Sequence, residues 1–210
     1  MSTQAYEAIR RKIVRLELAP GDVLREETLQ AELGIGRTPI REALQRLSRD
    51  QFVTVIPRRG MFVSSIDLDD LPLLYETRAL MEPYAARLAA TRGTADHWDE
   101  MTDVIERSLR AGIPPEDLLA VDRRCHEIIW HAAGNRFLTD TLDMLYAQSD
   151  RVWHMYLAAV ADTRHAVEEH AEILGALAAG DGDRAAALVE AHVRSFDTQV
   201  RDAVTSTLYS

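Results

Sequence analysis

Two sets of residues in this 210-residue sequence have types and spacings that bear on chemistry. The first is Asp122, His126, His170 and His192. Asp122 and His126 stand at i and i+4, so a helix carries both on one face. His170 and His192 each interrupt the apolar stripe of their own segment, which turns them inward. A carboxylate and three imidazoles converging from three helices make an N3O donor set suited to divalent Zn, Ni, Mn or Fe. Hydrogen-bonded core histidines and a buried Asp122–His126 ion pair use the same residues, so pattern alone leaves both readings open. The second set is Arg37, Arg41, Gln45 and Arg46. In the same stretch Ile40, Ala43, Leu44 and Leu47 recur at i, i+3, i+4 and i+7, an apolar stripe that docks on a core while the arginines face away from it. A helix with a cationic N-terminus suits a polyanion, and the expectation is a recognition helix reading DNA. Its bland counterpart is a solvated surface face.

Three further residues are candidates for holding a small ligand. Arg78 falls on the inward face of its segment (Leu71, Leu74/Tyr75, Arg78, Met81/Glu82, Ala85, Leu88), where an unpaired guanidinium is costly. Its partner is either Glu82, one turn on, or a ligand carboxylate. Arg151 and His154, around Trp153, are candidates to line an effector cavity. His131 and Asn135 read as parts of a helix ending, and His165 as a surface residue. The sequence has no GxxxxGK[ST], no GxGxxG after a strand, no CxxC, no GxSxG and no HExxH.

These residues need elements to position them. Residues 4–18 read as a helix through Tyr6, Ile9, Ile13 and Leu16, broken at Ala19-Pro20-Gly21-Asp22. A short helix around Glu26–Leu33 stops at Gly34, and Ile35-Gly36 turns tightly into the arginine-bearing helix, with Pro39 in its first turn and Thr38 as its cap. Helix, glycine turn, helix is the helix-turn-helix arrangement. Phe52–Ile56 and Met61–Val63 then bracket Pro57-Arg58-Arg59-Gly60 as a β-hairpin, a wing whose Arg58 and Arg59 suit phosphates or a minor groove. Beyond the acidic junction 66–70, where Asp67 or Asp69 is placed to cap, the pattern is helical throughout. Six helices are expected, at roughly 68–91, 96–111 (Trp98, Met101, Ile105, Leu109), 115–133, 136–159, 163–179 and from about Asp183, with a break at Gly112-Ile113-Pro114-Pro115. The expected fold is mostly α, a winged helix-turn-helix in residues 1–66 and an antiparallel helical bundle in 67–210.

Charge divides the chain in the same way. Residues 1–65 hold eleven Arg or Lys against eight acids, a net of +3, which leaves −13 for the remainder of a chain whose formal net charge is −10. A mildly basic module that meets nucleic acid is thus joined to an acidic one that avoids it. The lone Cys125 excludes an internal disulfide and fits a reducing cytoplasm. No stretch of about 18 apolar residues is present, so a cytoplasmic protein with no membrane partner is expected.

The stretches Pro20-Gly21-Asp22-x-Leu24, Leu33-Gly34-Ile35-x-Arg37-Thr38-Pro39-Ile40-Arg41-Glu42-Ala43-Leu44-x-Arg46-Leu47 and Pro57-x-Arg59-Gly60-x-x-Val63 resemble the winged-helix signature of GntR-family bacterial transcription regulators. The resemblance implies that Arg37 and Arg41 contact operator bases, guanine above all, that Thr38 and Pro39 lie against backbone phosphate, that Gly60 enters the minor groove, and that Arg46 touches phosphate. Gly36 stands where the family usually has Ser or Thr, and Glu27 where some members are basic. Asp122-x-x-x-His126, His131-Ala132-Ala133-Gly134-Asn135, Glu169-His170-x-x-Ile173-Leu174, Ala191-His192 and Glu76-x-Arg78-x-x-x-Glu82 resemble the FCD ligand-binding domain of the FadR-like subgroup, in its shorter VanR-like branch. That likeness implies that Asp122, His126, His170 and His192 hold a divalent metal, that a small organic acid completes its coordination, and that Arg78 contacts or neighbours this effector.

The expectation is therefore a homodimeric regulator, most simply a repressor, bound to an inverted-repeat operator in double-stranded DNA and controlled by metal and organic acid. A metalloenzyme using the Asp/His3 set is one rival, and a regulator with a metal-free effector pocket is another.

Overall fold

Ala5, Tyr6, Ile9 and Ile13 bury one side of the first helix, α1 (Ser2–Val14), in the computed structural model, which describes residues 1–108, 114–156 and 163–208. The helix stops four residues short of expectation. Leu16, placed on the stripe by spacing, has φ 58° and lies outside α1. A two-residue strand β1 (Val23–Leu24) leads into α2 (Glu26–Leu33), then α3 (Arg37–Arg49), β2 (Val53–Ile56) and β3 (Gly60–Val63). Gly34 closes α2 in the left-handed conformation at φ 64°, its N–H donating to Gln30 O, a backbone state that costs a residue with a Cβ.

Extended Gly36 is the N-cap of α3 and offers no side-chain hydrogen bond, so Thr38 is already the second helical residue and not the expected cap. Pro39 sits in the first turn, where its missing N–H is no loss. Ile40, Ala43, Leu44 and Leu47 are fully buried against α1 and the sheet, as their spacing requires. The wing pairs Val53 with Val63 and Ile56 with Gly60, and Gly60 takes φ 108° after the turn at 57–59. Beyond the expected hairpin, β1 adds a third strand on the other edge of β3, with Val23 opposite Phe62. Two residues are too few to show alternation.

Six helices follow among the described residues: α4 (Leu71–Arg92), α5 (Ala95–Ser108), α6 (Pro115–Ala132), α7 (Arg136–Tyr156), α8 (Thr163–Ala178) and α9 (Gly182–Leu208). A short 3-10 turn, Leu68–Asp70, precedes α4 and puts Asp70 at its N-cap, instead of Asp67 or Asp69. Leu109, the glycine of the break at 112–113, and residues 157–159 of the expected fourth bundle helix lie outside the described residues. Helix α4 packs along α9, and both carry buried alanines, Ala85, Ala86 and Ala89 on α4 and Ala185 and Ala186 on α9, small side chains of the kind that let two backbones approach. Helix α8 packs on α5, α6 and α9.

The chain forms two compact units. Met1–Leu68 with Asp150–Met155, from the end of α7, make one; the other holds Asp69–Ser149 and the rest of α7, α8 and α9. No helix among the described residues is long and apolar enough to cross a membrane.

Candidate functional site

The stripes of α6, α8 and α9 are interrupted by polar residues at one level of the bundle. Asp122 and His126 of α6, His170 of α8 and His192 of α9 are all buried. One ligand atom from each lies within 4.8 Å of every other. His126 Nε2 and His192 Nε2 are 3.1 Å apart, and His192 Nε2 is 3.3 Å from Asp122 Oδ1.

One nitrogen of each ring is held by a group outside the four. His126 Nδ1 is 2.6 Å from Glu82 Oε2, His192 Nδ1 donates to Glu169 Oε2 at 2.7 Å, and His170 Nδ1 donates to Ala166 O at 2.8 Å. A carbonyl or carboxylate only accepts, so each Nδ1 carries a proton, and for His126 and His192 it is Nε2 that faces Asp122, at 3.8 and 3.3 Å. Tyr146 OH donates to Asp122 Oδ2 at 2.5 Å and holds the carboxylate in the same way. Two buried atoms of these four residues, Asp122 Oδ1 and His170 Nε2, make no hydrogen bond. Orphaned acceptors of this kind are costly in a core and fit a cation. The residues therefore suit a divalent metal by donor type, closeness and unmet valence.

The electrostatics favour a ligand state for Asp122 and His170 and a charged ring for His192. Burial alone would raise the Asp122 carboxyl, but His126, His192 and His170 around it hold it far below the usual carboxylate range. Burial, reinforced by the charge of His192, pushes His170 down to about 3, so it stands neutral as a ligand must. Burial works the same way on His192, yet its bonds to Asp122 and Glu169 prevail and raise it to about 9.

Arg78 continues this network outward. Its Nε donates to Glu82 Oε1 at 2.6 Å, with both side chains almost fully buried, so the intrahelical partner is realised. The guanidinium also lies over Tyr146 at 4.9 Å from the ring centre, and Glu82 bridges it to His126. Arg151 and His154 sit in the segment that groups with the N-terminal unit. Arg151 Nη2 donates to Ser64 O at 2.8 Å and its guanidinium lies 5.8 Å from the Phe52 ring centre, while His154 Nε2 is 3.5 Å from Asp150 Oδ1. His131 and His165 are exposed, and Asn135 Oδ1 accepts from Leu138 N at the start of α7.

Spacing did not disclose three supports of the cluster: Glu169, Tyr146 and the second role of Glu82. A buried Tyr hydroxyl always needs a partner, which was the available signal.

In the N-terminal unit, Arg37, Thr38 and Arg41 are exposed on α3 and Pro39 is half-buried. Glu26 joins the two arginines, accepting from Arg37 Nε at 3.0 Å and lying 3.3 Å from Arg41 Nε. Arg46 is exposed with its guanidinium 4.0 Å from the ring centre of Tyr6, whose hydroxyl donates to Asp50. Arg58, Arg59 and Gly60 are exposed at the wing tip.

Comparison with known proteins gives the same division. Residues 1–63 match the profile of the bacterial regulatory proteins of the gntR family, and residues 73–195 match the FCD domain. The Nta operon transcriptional regulator of Aminobacter aminovorans is 30% identical over 192 residues, covering 91% of this chain and 90% of that one. The HTH-type transcriptional repressor RspR of Escherichia coli is 26% identical over 204 residues, covering 96% and 89%. Among solved structures, E. coli McbR/YncC superposes with a TM-score of 0.82 at 22% identity, covering 100% of this chain and 98% of that one. The matched families and relatives are transcription regulators and not enzymes.

Proposed function

Because this chain belongs to the gntR family of bacterial transcription regulators and carries an FCD domain, we propose that it represses from an inverted-repeat operator, in the cytoplasm, under control of a metal-bound organic acid. Residues 1–66 are assigned to DNA and residues 67–210 to metal, effector and dimer. Arg37 and Arg41 read base edges, guanine first, while Thr38, Pro39, Arg46, Arg59 and Gly60 position the backbone.

The observation that carries the effector side is the buried set of three histidines around Asp122, with a ligand atom of each of the four residues within 4.8 Å of the others. A divalent Zn, Ni, Mn or Fe ion held by Asp122, His126, His170 and His192 would supply coordination positions and positive charge for an effector carboxylate. Arg78, tied to the cluster through Glu82, supplies the second cation for that carboxylate. For dimerisation we assign the groove between α4 and α9, where exposed Leu80 and Tyr84 lie beside Asp183, Glu190, Arg194 and Arg201. Both charge signs along one face suit a second copy, since an isologous interface must complement itself. Leu80→Glu should then yield monomers in analytical ultracentrifugation.

By linkage, an effector that weakens operator binding is itself weakened by operator to the same degree. The probe is citrate, a chelating tricarboxylate, titrated into Mn-loaded protein alone and with a duplex that the protein has enriched from a random pool. Citrate affinity should fall when the duplex is bound. Equal affinity in both titrations would sink effector control by this class of ligand.

A further inference from the structure

Resting on the reading of Arg37 and Arg41 as base readers, we infer that Glu26 is the positioning residue that sets both guanidinium groups before DNA arrives and suppresses their attraction to DNA of the wrong sequence. Glu26 opens α2, where the partial positive charge of a helix N-terminus favours a carboxylate. Its side chain is only 18% exposed, and the packing of α2 on α3 through buried Leu29, Ile35 and Ile40 fixes where it points. The arginines are the opposite: their side chains are 66% and 60% exposed and emerge one turn apart from α3. One carboxylate meets both, Oε2 at 3.0 Å from Arg37 Nε and Oε1 at 3.3 Å from Arg41 Nε.

Two consequences follow from which nitrogens are used. Nε is the inner donor of a guanidinium, so the terminal Nη groups remain for O6 and N7 of guanine. Each plane is oriented through its Nε, and less rotamer freedom is lost when the base edge is met. The carboxylate also cancels one of two positive charges. Phosphates are present on every sequence, so that cancellation weakens random DNA most, while guanine edges still find oriented donors. An ordinary exposed ion pair would do neither.

The test compares the enriched duplex with a scramble of the same composition, across a range of salt. Glu26→Ala should lower the melting temperature by no more than a few degrees, raise affinity for the scramble, steepen its salt dependence by about one counterion, and cut the ratio of enriched to scrambled affinity roughly tenfold or more. Glu26→Gln, with a single oxygen and no charge, should fall between, and it decides the matter if the alanine variant folds poorly. A ratio within about twofold of wild type, or equal losses on both duplexes, overturns the inference. Arg41→Ala separates the two readings. If it changes base preference while Glu26→Ala does not, this inference alone falls; if it changes nothing, or if no sequence is enriched, base reading itself falls and takes this inference with it.

Discussion

Replacing Arg78 by methionine should destabilise the C-terminal unit by about 3–5 kcal/mol, because the change leaves a carboxylate without its main counter-charge in the core. The Arg78 and Glu82 side chains are 3% and 1% exposed and 2.6 Å apart. Methionine fills much of the vacated volume, so the loss is one of charge more than of packing. The lower end of that range is expected, since Glu82 Oε2 keeps His126 Nδ1 at 2.6 Å. The pH dependence gives the sign. Burial pushes the Glu82 carboxyl up, but Arg78 and His126 together hold it at about 2. A carboxyl depressed in the fold contributes stability above its unfolded value of about 4.3 and loses it only as pH falls toward the folded value. Without Arg78 burial weighs more, the variant takes up a proton that the wild type refuses, and its deficit narrows from about pH 7 to about pH 5. Urea unfolding of chelator-treated protein reports on this unit through Trp98 and Trp130, and carrying it out in a Trp153→Phe background removes the tryptophan of the segment that groups with the N-terminal unit. Arg78→Met/Glu82→Gln should recover half the loss or more. A loss under about 1 kcal/mol at neutral pH, or a deficit that ignores pH, would refute the buried-pair reasoning.

Three other outcomes follow from the same geometry. Arg41→Ala should cost about 1–3 kcal/mol of operator binding, concentrated at one base position, and a uniform loss in a mutated-duplex series would assign Arg41 to phosphate instead. Tyr146→Phe removes the 2.5 Å bond to Asp122 Oδ2 and should weaken metal binding about 10–100-fold in a chelator competition while the circular dichroism stays native. Gly34→Ala forces a Cβ into φ 64° and should cost the N-terminal unit about 1–2 kcal/mol, seen as a lower melting temperature with unchanged metal content.

Much of this was legible before any coordinates. The α3 stripe Ile40–Leu47 and the inward Asp122, His126, His170 and His192 are period-3.6 signals, and a helix face is set by spacing alone. The glycines that end α2 and begin the wing's second strand mark positions that a left-handed backbone demands. What stayed hidden depended on distance in sequence. Glu169 lies 23 residues from His192 and Tyr146 lies 24 from Asp122, and only the packing of α6, α7, α8 and α9 brings them together. Glu26 stands 11 residues before Arg37 on a different helix, a spacing that no single-helix periodicity brings together. Pro39 restricts Thr38 and so suggests it as the cap, but Gly36 adopts the extended N-cap conformation more readily and places Thr38 inside α3. Arg151 offered a bare cation to sequence reading, and its partner Ser64 is a backbone carbonyl, a group that sequence never distinguishes.

The most direct test of the account is elemental analysis of the protein purified without chelator or metal column, beside His126→Ala/His192→Ala prepared in the same way. About one divalent ion per chain is expected in the wild type, lost in the double variant, whose winged helix still binds the enriched duplex. A metal-free wild type that also fails to take up Mn, Fe, Ni or Zn on addition would contradict it. The bundle would then be a plain effector pocket centred on Arg78.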